Sequence, residues 1–580
     1  MINLQRLRTA RAFGAKLWVL VKPFWLSEER WPALGLLAIV VGLNLGIVYL
    51  NVRFNEWYGV FYDALQNKNF AVYQRQLLVF TVLAFAYIVA AVYQIYVRQM
   101  LEIRWRRWLT GQYLHDWMSN RAFYRMELTD YGTDNPEQRI QEDMRLLTSN
   151  TLSLSLGLLS SVVTLASFLS ILWTLSGPVS LTLLGTAITI PGYMVWVAFV
   201  YALVGSLLTH RIGWPLRIIN FDQQRFEADF RYRMTRIREN AESIALYGGE
   251  RDERHSLDGS FTNIWGNWWK LMKRQKTLTW FTSFYGQAAV IFPFLVGAPR
   301  YFSGAIQLGG LIQISSAFGQ VQGSLSWLID AYPQLADWRA TVDRLTSFGA
   351  AIERSREDAT AKDAILVEQN GAPALDLRGL DVAVPTGRVL LKDVNERIEA
   401  GEQVLISGPS GSGKTTFFRA LAGIWPFGRG TVRTPAGAKM LFLPQKPYLP
   451  LGTLKAAVCY PGPENAHSDD SVMEILDACR LGHLRDRLHE STNWSLALSG
   501  GEQQRLGFAR ILANRPNWVF LDEATSSVDE EIERHLYKLV RERLPGAAVV
   551  SIAHRPTLAA FHNRRMRIDP DRQAITASAI

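Results

Sequence analysis

Up to about residue 330 the chain alternates between long uncharged apolar stretches and segments dense in charge; beyond that point the apolar residues come in short runs. The uncharged stretches run from Ala33 to Val52, Leu77 to Val97, Leu152 to Leu175, Val179 to Leu208, Leu278 to Gly297 and Gly304 to Ile329. Each is long enough, as a helix, to cross a hydrocarbon core of about 30 Å. Buried helices of a soluble protein do not repeat this pattern six times without a charge. The segments between them mix charges with helix formers, as in Arg231 to Tyr247, so the membrane helices are expected to continue into long cytoplasmic extensions. On the last stretch Gln313, Ser316, Gln320 and Ser324 recur at steps of three and four, beside an apolar stripe of Leu311, Ile314, Phe318, Val321, Leu325 and Leu328. A polar stripe at that depth must meet water, substrate or another helix, because lipid offers no partner. The expectation is that it faces a cavity.

Charge then orients the chain. The segments 1–32, 98–151 and 209–277 hold 6, 8 and 13 lysines and arginines, whereas the short intervening loops hold only 4, Arg53, Lys68, Arg75 and Arg300. The positive-inside rule therefore puts the N-terminus, the long loops and everything after residue 330 in the cytoplasm. This asymmetry accounts for much of the formal charge of +10, and no free-standing basic block points to nucleic acid. The apolar run Leu17 to Val21 is too short for a signal-peptide core and reads as part of an interfacial helix. The two cysteines, Cys459 and Cys479, have neither ligand spacing nor a disulfide framework and are expected to be reduced and structural.

The second half contains runs that punctuate as strand, loop and helix. We expect a membrane domain over 1–345, a linker over 346–373 and a soluble α/β domain over 374–580. Residues Gly408, Pro409, Ser410, Gly411, Ser412, Gly413, Lys414, Thr415 and Thr416 lie between a buried strand and a helix. That spacing lets backbone N–H groups cradle a polyphosphate, with Lys414 on the β- and γ-phosphates and the Thr415 hydroxyl on Mg²⁺. Gln445 ends a short strand, where it can sense Mg²⁺ or water. Ser499, Gly500, Gly501 and Glu502 open a helix and make a second anion-binding start. Asp522 and Glu523 end another buried strand, the first placed for Mg²⁺ and the second to polarise an attacking water. His554 ends a further strand, within reach of a γ-phosphate.

In this order, from Gly408 to Thr415, then Gln445, then Leu-Ser-Gly-Gly-Glu-Gln-Gln, Leu-Asp-Glu, Ser-Ser-Val-Asp and His554, the second half resembles the ATP-binding cassette of ABC transporters. The resemblance implies a P-loop NTPase that uses ATP and Mg²⁺, with Thr415, Gln445 and Asp522 at the metal, Glu523 as base and His554 as γ-phosphate switch. It implies that Ser499 and Gly501 complete the ATP site of a second copy, so that this half-transporter is a homodimer. Family members usually stack an aromatic side chain on adenine, and here Val384 stands at that position. The segments Tyr131 to Asp143 and Glu239 to Glu250 resemble loops of peroxisomal fatty-acyl ABC transporters and bacterial SbmA/BacA-like proteins, and are expected to touch the cassette. The bacterial branch implies an inner-membrane protein taking up peptides or bulky hydrophilic solutes such as cobalamin. Export of lipids, drugs or acyl chains, and a membrane-tethered regulatory ATPase, stand as the alternatives.

Overall fold

The computed structural model describes residues 4–129, 135–183, 186–359, 361, 364–371 and 373–580. Contacts divide the chain into two compact units, one formed by Met1–Gln112 and Asn135–Thr346, the other by Tyr113–Asp134 and Ser347–Ile580.

The first unit is almost wholly helical. Helix α1 (Leu4–Leu26) is followed by α2 (Arg30–Gln66) and α3 (Phe70–Met118), and the short α4 (Ala122–Leu128) falls in the second unit. Then come α5 (Met144–Ser176), a hairpin of β1 (Pro178–Leu183) and β2 (Thr186–Pro191), and α6 (Tyr193–Glu239). The unit continues through α7 (Ala241–Tyr247), α8 (Glu250–Phe302), α9 (Leu308–Asp330) and the first part of α10 (Tyr332–Ala359). Five helical stretches among the described residues are long and apolar enough to cross a membrane, and α9 coincides with the sixth expected span. Helix α8 has 53 residues, whereas a membrane needs about 20. The surplus matches the long extensions that the charge interleaving predicts.

One expected span is different. The stretch expected as a single helix over 179–208 starts as the β1/β2 hairpin, and helix begins only at Tyr193. Pro178 and Pro191 break the helical ladder, and the run of threonines and isoleucines between them favours extended backbone. Gly192 turns the chain with φ +60°, and a Cβ there would lie 2.3 Å from the Trp173 ring. Only glycine permits that approach.

Four residues of the apolar stripe of α9 are buried: Leu311, Ile314, Phe318 and Val321 are inaccessible or nearly so, and the last three pack with Phe168 and Leu172 of α5 and Met194 and Ala198 of α6, while Leu325 is half-buried and the Leu328 side chain lies outside the described ones. Near the N-terminus, Phe24 of α1 stacks on Trp105 of α3 at 5.5 Å, anchoring the helix that the sequence assigns to the membrane surface. A turn with π-helical bonding, Arg139–Asp143, precedes α5. There the Asp143 carboxylate, 2% exposed, receives Arg139 at 3.0 Å and the Arg344 Nε of α10 at 2.9 Å.

The second unit is built on two sheets. Strands β3 (Leu366–Asn370), β4 (Ala374–Ala383), β5 (Val389–Glu399) and β7 (Gly428–Pro435) form one, in the order β3-β7-β4-β5. The other takes β6 (Gln403–Ser407), β8 (Met440–Leu443), β9 (Trp518–Asp522), β10 (Ala548–Ile552), β11 (Arg564–Asp569) and β12 (Ala574–Ala579), in the order β12-β11-β6-β10-β9-β8. Its four pairings from β11 to β8 are all parallel, and only β12 runs antiparallel, against β11. The helices α11 (Lys414–Leu421), α12 (Leu454–Cys459), α13 (Asp469–Ala478), α14 (Gly500–Asn514) and α15 (Glu530–Arg543) complete the unit. Two cores result. Phe417 and Phe418 of α11 join Trp518, Phe520 and the sheet strands in one, while α12, α13 and Leu506 and Phe508 of α14 surround Trp494 in the other.

Candidate nucleotide site

Parallel pairing fixes where the polar residues of the second unit emerge. Strands β6, β8, β9 and β10 run the same way, so the segments after their C-terminal ends lie along one edge of the sheet, the usual place for a ligand in an open α/β fold. The 408–413 loop follows β6, Gln445 follows β8, Asp522 and Glu523 end β9, and His554 follows β10. Four segments far apart in sequence are thereby gathered.

In the loop, Gly411 and Gly413 have φ of +75° and +92°, and a Cβ on Gly413 would press on Leu390 at 3.2 Å. Such positive φ values turn successive N–H groups inward. Pro409, Ser410 and Gly411 are exposed, Ser412 and Lys414 are buried, and Thr415 and Thr416 open α11. The Ser412 Oγ is buried without a hydrogen-bond partner. The Lys414 ammonium donates to the carbonyls of Gly408 at 3.0 Å and Pro409 at 2.8 Å. Burial lowers its pKa, with Glu523 and Asp522 acting against the shift. Burial likewise raises the Asp522 carboxyl, opposed by a hydrogen bond from the Thr415 side chain.

Glu523, at φ +47°, is held from both sides. The Gln445 amide donates to one carboxylate oxygen at 3.2 Å, and His554 Nε2 lies 3.0 Å from the other. Base candidate, switch candidate and strand-end glutamine thus form one connected group.

Ser499 and Glu502 make a reciprocal cap on α14. The Ser499 hydroxyl accepts from the Glu502 N–H, and the Glu502 carboxylate takes the Ser499 N–H at 2.8 Å and its hydroxyl at 2.7 Å. Ser499 and Gly500 remain exposed. Gly501 approaches the Ser527 carbonyl so closely that a Cβ would sit 3.0 Å from it.

The sequence reading missed two elements here. Gln504, 2% exposed, donates to the Gln445 carbonyl and the Ser526 hydroxyl, both at 3.0 Å, and accepts from the Ser527 N–H at 2.7 Å. It ties the segment after β8 to the one after β9, and its only sequence signal is the last position of Leu-Ser-Gly-Gly-Glu-Gln-Gln. The second element is α4. Within the second unit Arg121 donates to the Ala422 carbonyl at 2.6 Å, Arg125 donates to that of Ser355 at 2.9 Å, and Leu128 packs against the sheet core. Of the two loops expected to touch the cassette, residues 131–134 lie outside the described residues, 135–143 belong to the first unit, and so does α7.

Two further positions differ from expectation or sharpen it. Gln313 is tied to α2: its amide donates to the Asn55 carbonyl at 3.0 Å, and Asn55 returns a bond of the same length to the Gln313 carbonyl. Close packing explains this, since Gly59 leaves room for the Gln313 side chain where a Cβ would be 2.6 Å away. Val384 sits in the tight turn after β4, where its N–H donates to the Arg388 carbonyl and its carbonyl accepts from Gly387.

Comparison with known proteins agrees with this architecture. Residues 20–302 match the ABC transporter transmembrane region 2 family, and residues 391–526 match the ABC transporter family. The chain is 35% identical to the inner membrane ABC transporter ATP-binding protein YddA of Escherichia coli, over 94% of this chain and 96% of that one. It is 27% identical to the human lysosomal cobalamin transporter ABCD4, over 94% and 92%. A bacterial Atm1-family ABC exporter solved with ATP bound has the same fold, with a TM-score of 0.70 and 18% identity over 95% of both chains. The chain belongs to the ABC transporter family: it is a membrane-spanning half-transporter that binds ATP and couples its hydrolysis to transport.

Proposed function

We propose that two copies of this chain form a homodimer in which each ATP lies between the 408–416 loop of one copy and Ser499, Gly500, Gly501 and Glu502 of the other. The observation that carries this reading is the separation of the two anion-binding features. The loop opens α11, which belongs to the sheet core, whereas exposed Ser499 opens α14, which belongs to the helical core. Each is a helix start, the kind of feature whose N–H groups a phosphate can accept from. Helix α7 is suited to a partner too, because Leu246 and Tyr247 are 79% and 88% exposed.

At each composite site Glu523 acts as general base. It takes a proton from the water whose oxygen attacks the γ-phosphorus, the bond from that phosphorus to the β–γ bridging oxygen breaks, and ADP leaves. Gln445 and His554 hold the carboxylate that does this, and His554 is the residue that senses the γ-phosphate. Lys414 neutralises the β- and γ-phosphates. The buried Asp522 beside Thr415 fits a divalent cation, since a desolvated carboxylate next to a hydroxyl is an oxygen-donor set in want of positive charge. Thr415 and Asp522, with Gln445, would hold Mg²⁺, which when bound supplies charge neutralisation to the phosphates.

The membrane is a bacterial inner membrane, with the N-terminus and the cassette cytoplasmic. Support comes from the lysine and arginine asymmetry and the inner-membrane relative. Transport is by alternating access and runs inward, and the cargo is a peptide or a bulky hydrophilic solute of the cobalamin kind, in keeping with the cobalamin-transporting relative. Export is the second reading, and the Atm1-family likeness favours it through the fold alone. ATP-driven flux in proteoliposomes of known orientation decides the direction.

The dimer is tested by mixing chains. A Lys414→Ala chain paired with a Ser499→Arg chain damages one composite site twice and leaves the other whole. Both changes in one chain, beside an unaltered partner, damage both sites. The first arrangement should hydrolyse ATP and the second should not. Equal rates would overturn the head-to-tail arrangement.

A further inference from the structure

A cavity of about 350 Å³ lies between α2, α3 and α9 in the first unit. Five side chains with polar groups line it: Asn51, Tyr58, Tyr87, Ser316 and Gln320. None of these side chains makes a side-chain hydrogen bond among the described residues, although all but Tyr58 lie on stretches expected to cross the membrane, where lipid cannot supply one. The remaining walls are apolar, with Phe54 and Phe80 in edge contact at 6.0 Å. No acidic, basic or histidine side chain lines it. The nearby Arg53 and Glu56 are closed upon one another as an ion pair.

A second cavity of the same unit, of about 530 Å³ between α6 and α8, is the contrast. Its walls are apolar apart from the Trp196 indole N–H and the tyrosine hydroxyls, and the hydroxyls are already satisfied: Tyr201 donates to the Tyr285 carbonyl at 2.6 Å and Tyr285 to that of Tyr201 at 3.1 Å. At most one donor there, the Trp196 indole, asks for a polar occupant. In the first cavity, five donors and acceptors do.

We propose that the cavity between α2, α3 and α9 is a cargo subsite for an uncharged, amide-bearing group with an aromatic or aliphatic face. Asn51 and Gln320 each offer both an N–H donor and a carbonyl acceptor, which is the complement of an amide, and the hydroxyls can serve in either sense. Phe54, Phe80 and the two tyrosine rings receive the flat face. A charged group is excluded because no counter-charge would repay its desolvation. The proposal rests on the transport reading and narrows its substrate class. Ser316 and Gln320, two of the four residues of the polar stripe on α9, thereby receive a role that Gln313 does not share.

The test uses the full-length protein in lipid nanodiscs. Its native cysteines, Cys459 and Cys479, are both buried, so a single added cysteine is the reactive one. Ser316→Cys is labelled with N-ethylmaleimide in the presence of N-acetyl-phenylalanine amide, N-acetyl-arginine amide or tert-butylbenzene. Ala84→Cys, which replaces an apolar wall residue, is run alongside in case the first variant folds poorly. The neutral amide, at ten times its Kd, should slow labelling about tenfold, as competitive occupancy requires. The arginine amide and tert-butylbenzene should not. Adding Gln320→Leu to Ala84→Cys should remove the protection. Protection by tert-butylbenzene equal to that of the amide would make this a lipid groove, and protection by the arginine amide, or by none of the three, would equally overturn the proposal. ATP-driven flux is measured separately: protection without flux would leave the subsite standing and defeat the transport reading, whereas flux without protection does the reverse.

Discussion

In the cassette the functional side chains hold one another. Glu523 is bracketed by Gln445 and His554, Ser499 is locked to Glu502, and Gln504 links the backbone of Gln445 to that of Ser527. On α9 the polar side chains divide instead. Gln313 is spent on the backbone of α2, while Ser316 and Gln320 face a cavity without partners. The difference follows from the solvent around each unit. Around the cassette water can accept any group that is not held, so preorganisation is what the network adds. Within a bilayer an unheld polar group is costly, and one that persists marks a place where something other than lipid is met.

That comparison can be broken at several points. The largest effect is expected at Glu523, the member of the network proposed as general base. Glu523→Gln should lower hydrolysis by about 10²- to 10⁴-fold while ATP still binds, as loss of a general base does. Near-normal turnover in a phosphate-release assay would show the network to be structural. In the membrane unit the counterpart of that network is the buried charge of Asp143, which has no chemistry to do. Asp143→Ala removes the carboxylate that receives both Arg139 and Arg344, and removing one partner of a buried pair costs about 3–5 kcal/mol, here toward the lower end because the Arg344 side chain is 38% exposed. Thermal unfolding in detergent should register this as a clear loss of stability, and an unchanged midpoint would mean that the pair is not holding α10.

Smaller effects separate the two classes of polar residue on α9. Gln313→Leu removes one interhelical hydrogen bond, worth about 0.6 kcal/mol on average and at most about 1.7. It should shift unfolding slightly and leave flux nearly intact, whereas Gln320→Leu should depress flux. If Gln313→Leu depresses flux as much, the division between packing and cargo fails. The smallest change is at Val384. Val384→Tyr should tighten ATP binding by about two- to twelvefold, the value of a stacking contact of roughly 0.5–1.5 kcal/mol, if adenine lies beside this turn. Equal affinities before and after, measured by nucleotide displacement, would put the base elsewhere.

Much of the candidate nucleotide site was legible in the chain because it is built from contiguous pieces. A loop such as Gly408 to Thr415 carries its own geometry, since positive φ at Gly411 and Gly413 and the start of α11 are local properties. Hydrophobic length likewise marked the membrane stretches, because a bilayer of fixed thickness imposes it. The apolar stripe of α9 was legible for the same reason: helical periodicity chooses the face.

Other features depended on residues remote in sequence. Periodicity put Gln313 and Gln320 on one polar face, but only the approach of α2, made close by Gly59, turned Gln313 into a clamp and left Gln320 at a cavity. The hairpin over 178–191 replaced helix because prolines at both ends and extended-favouring residues between outweighed apolar length. The docking of α4 on the cassette joins Arg121 to a carbonyl 301 residues away, which no local pattern encodes. The sequence by itself determined the glycine spacing of the 408–416 loop and which stretches are long and apolar enough to cross a membrane, because both rest on local geometry and length. Which polar groups are spent on packing and which remain for a ligand was decided by the tertiary structure, since a hydrogen bond between helices depends on how closely their backbones approach.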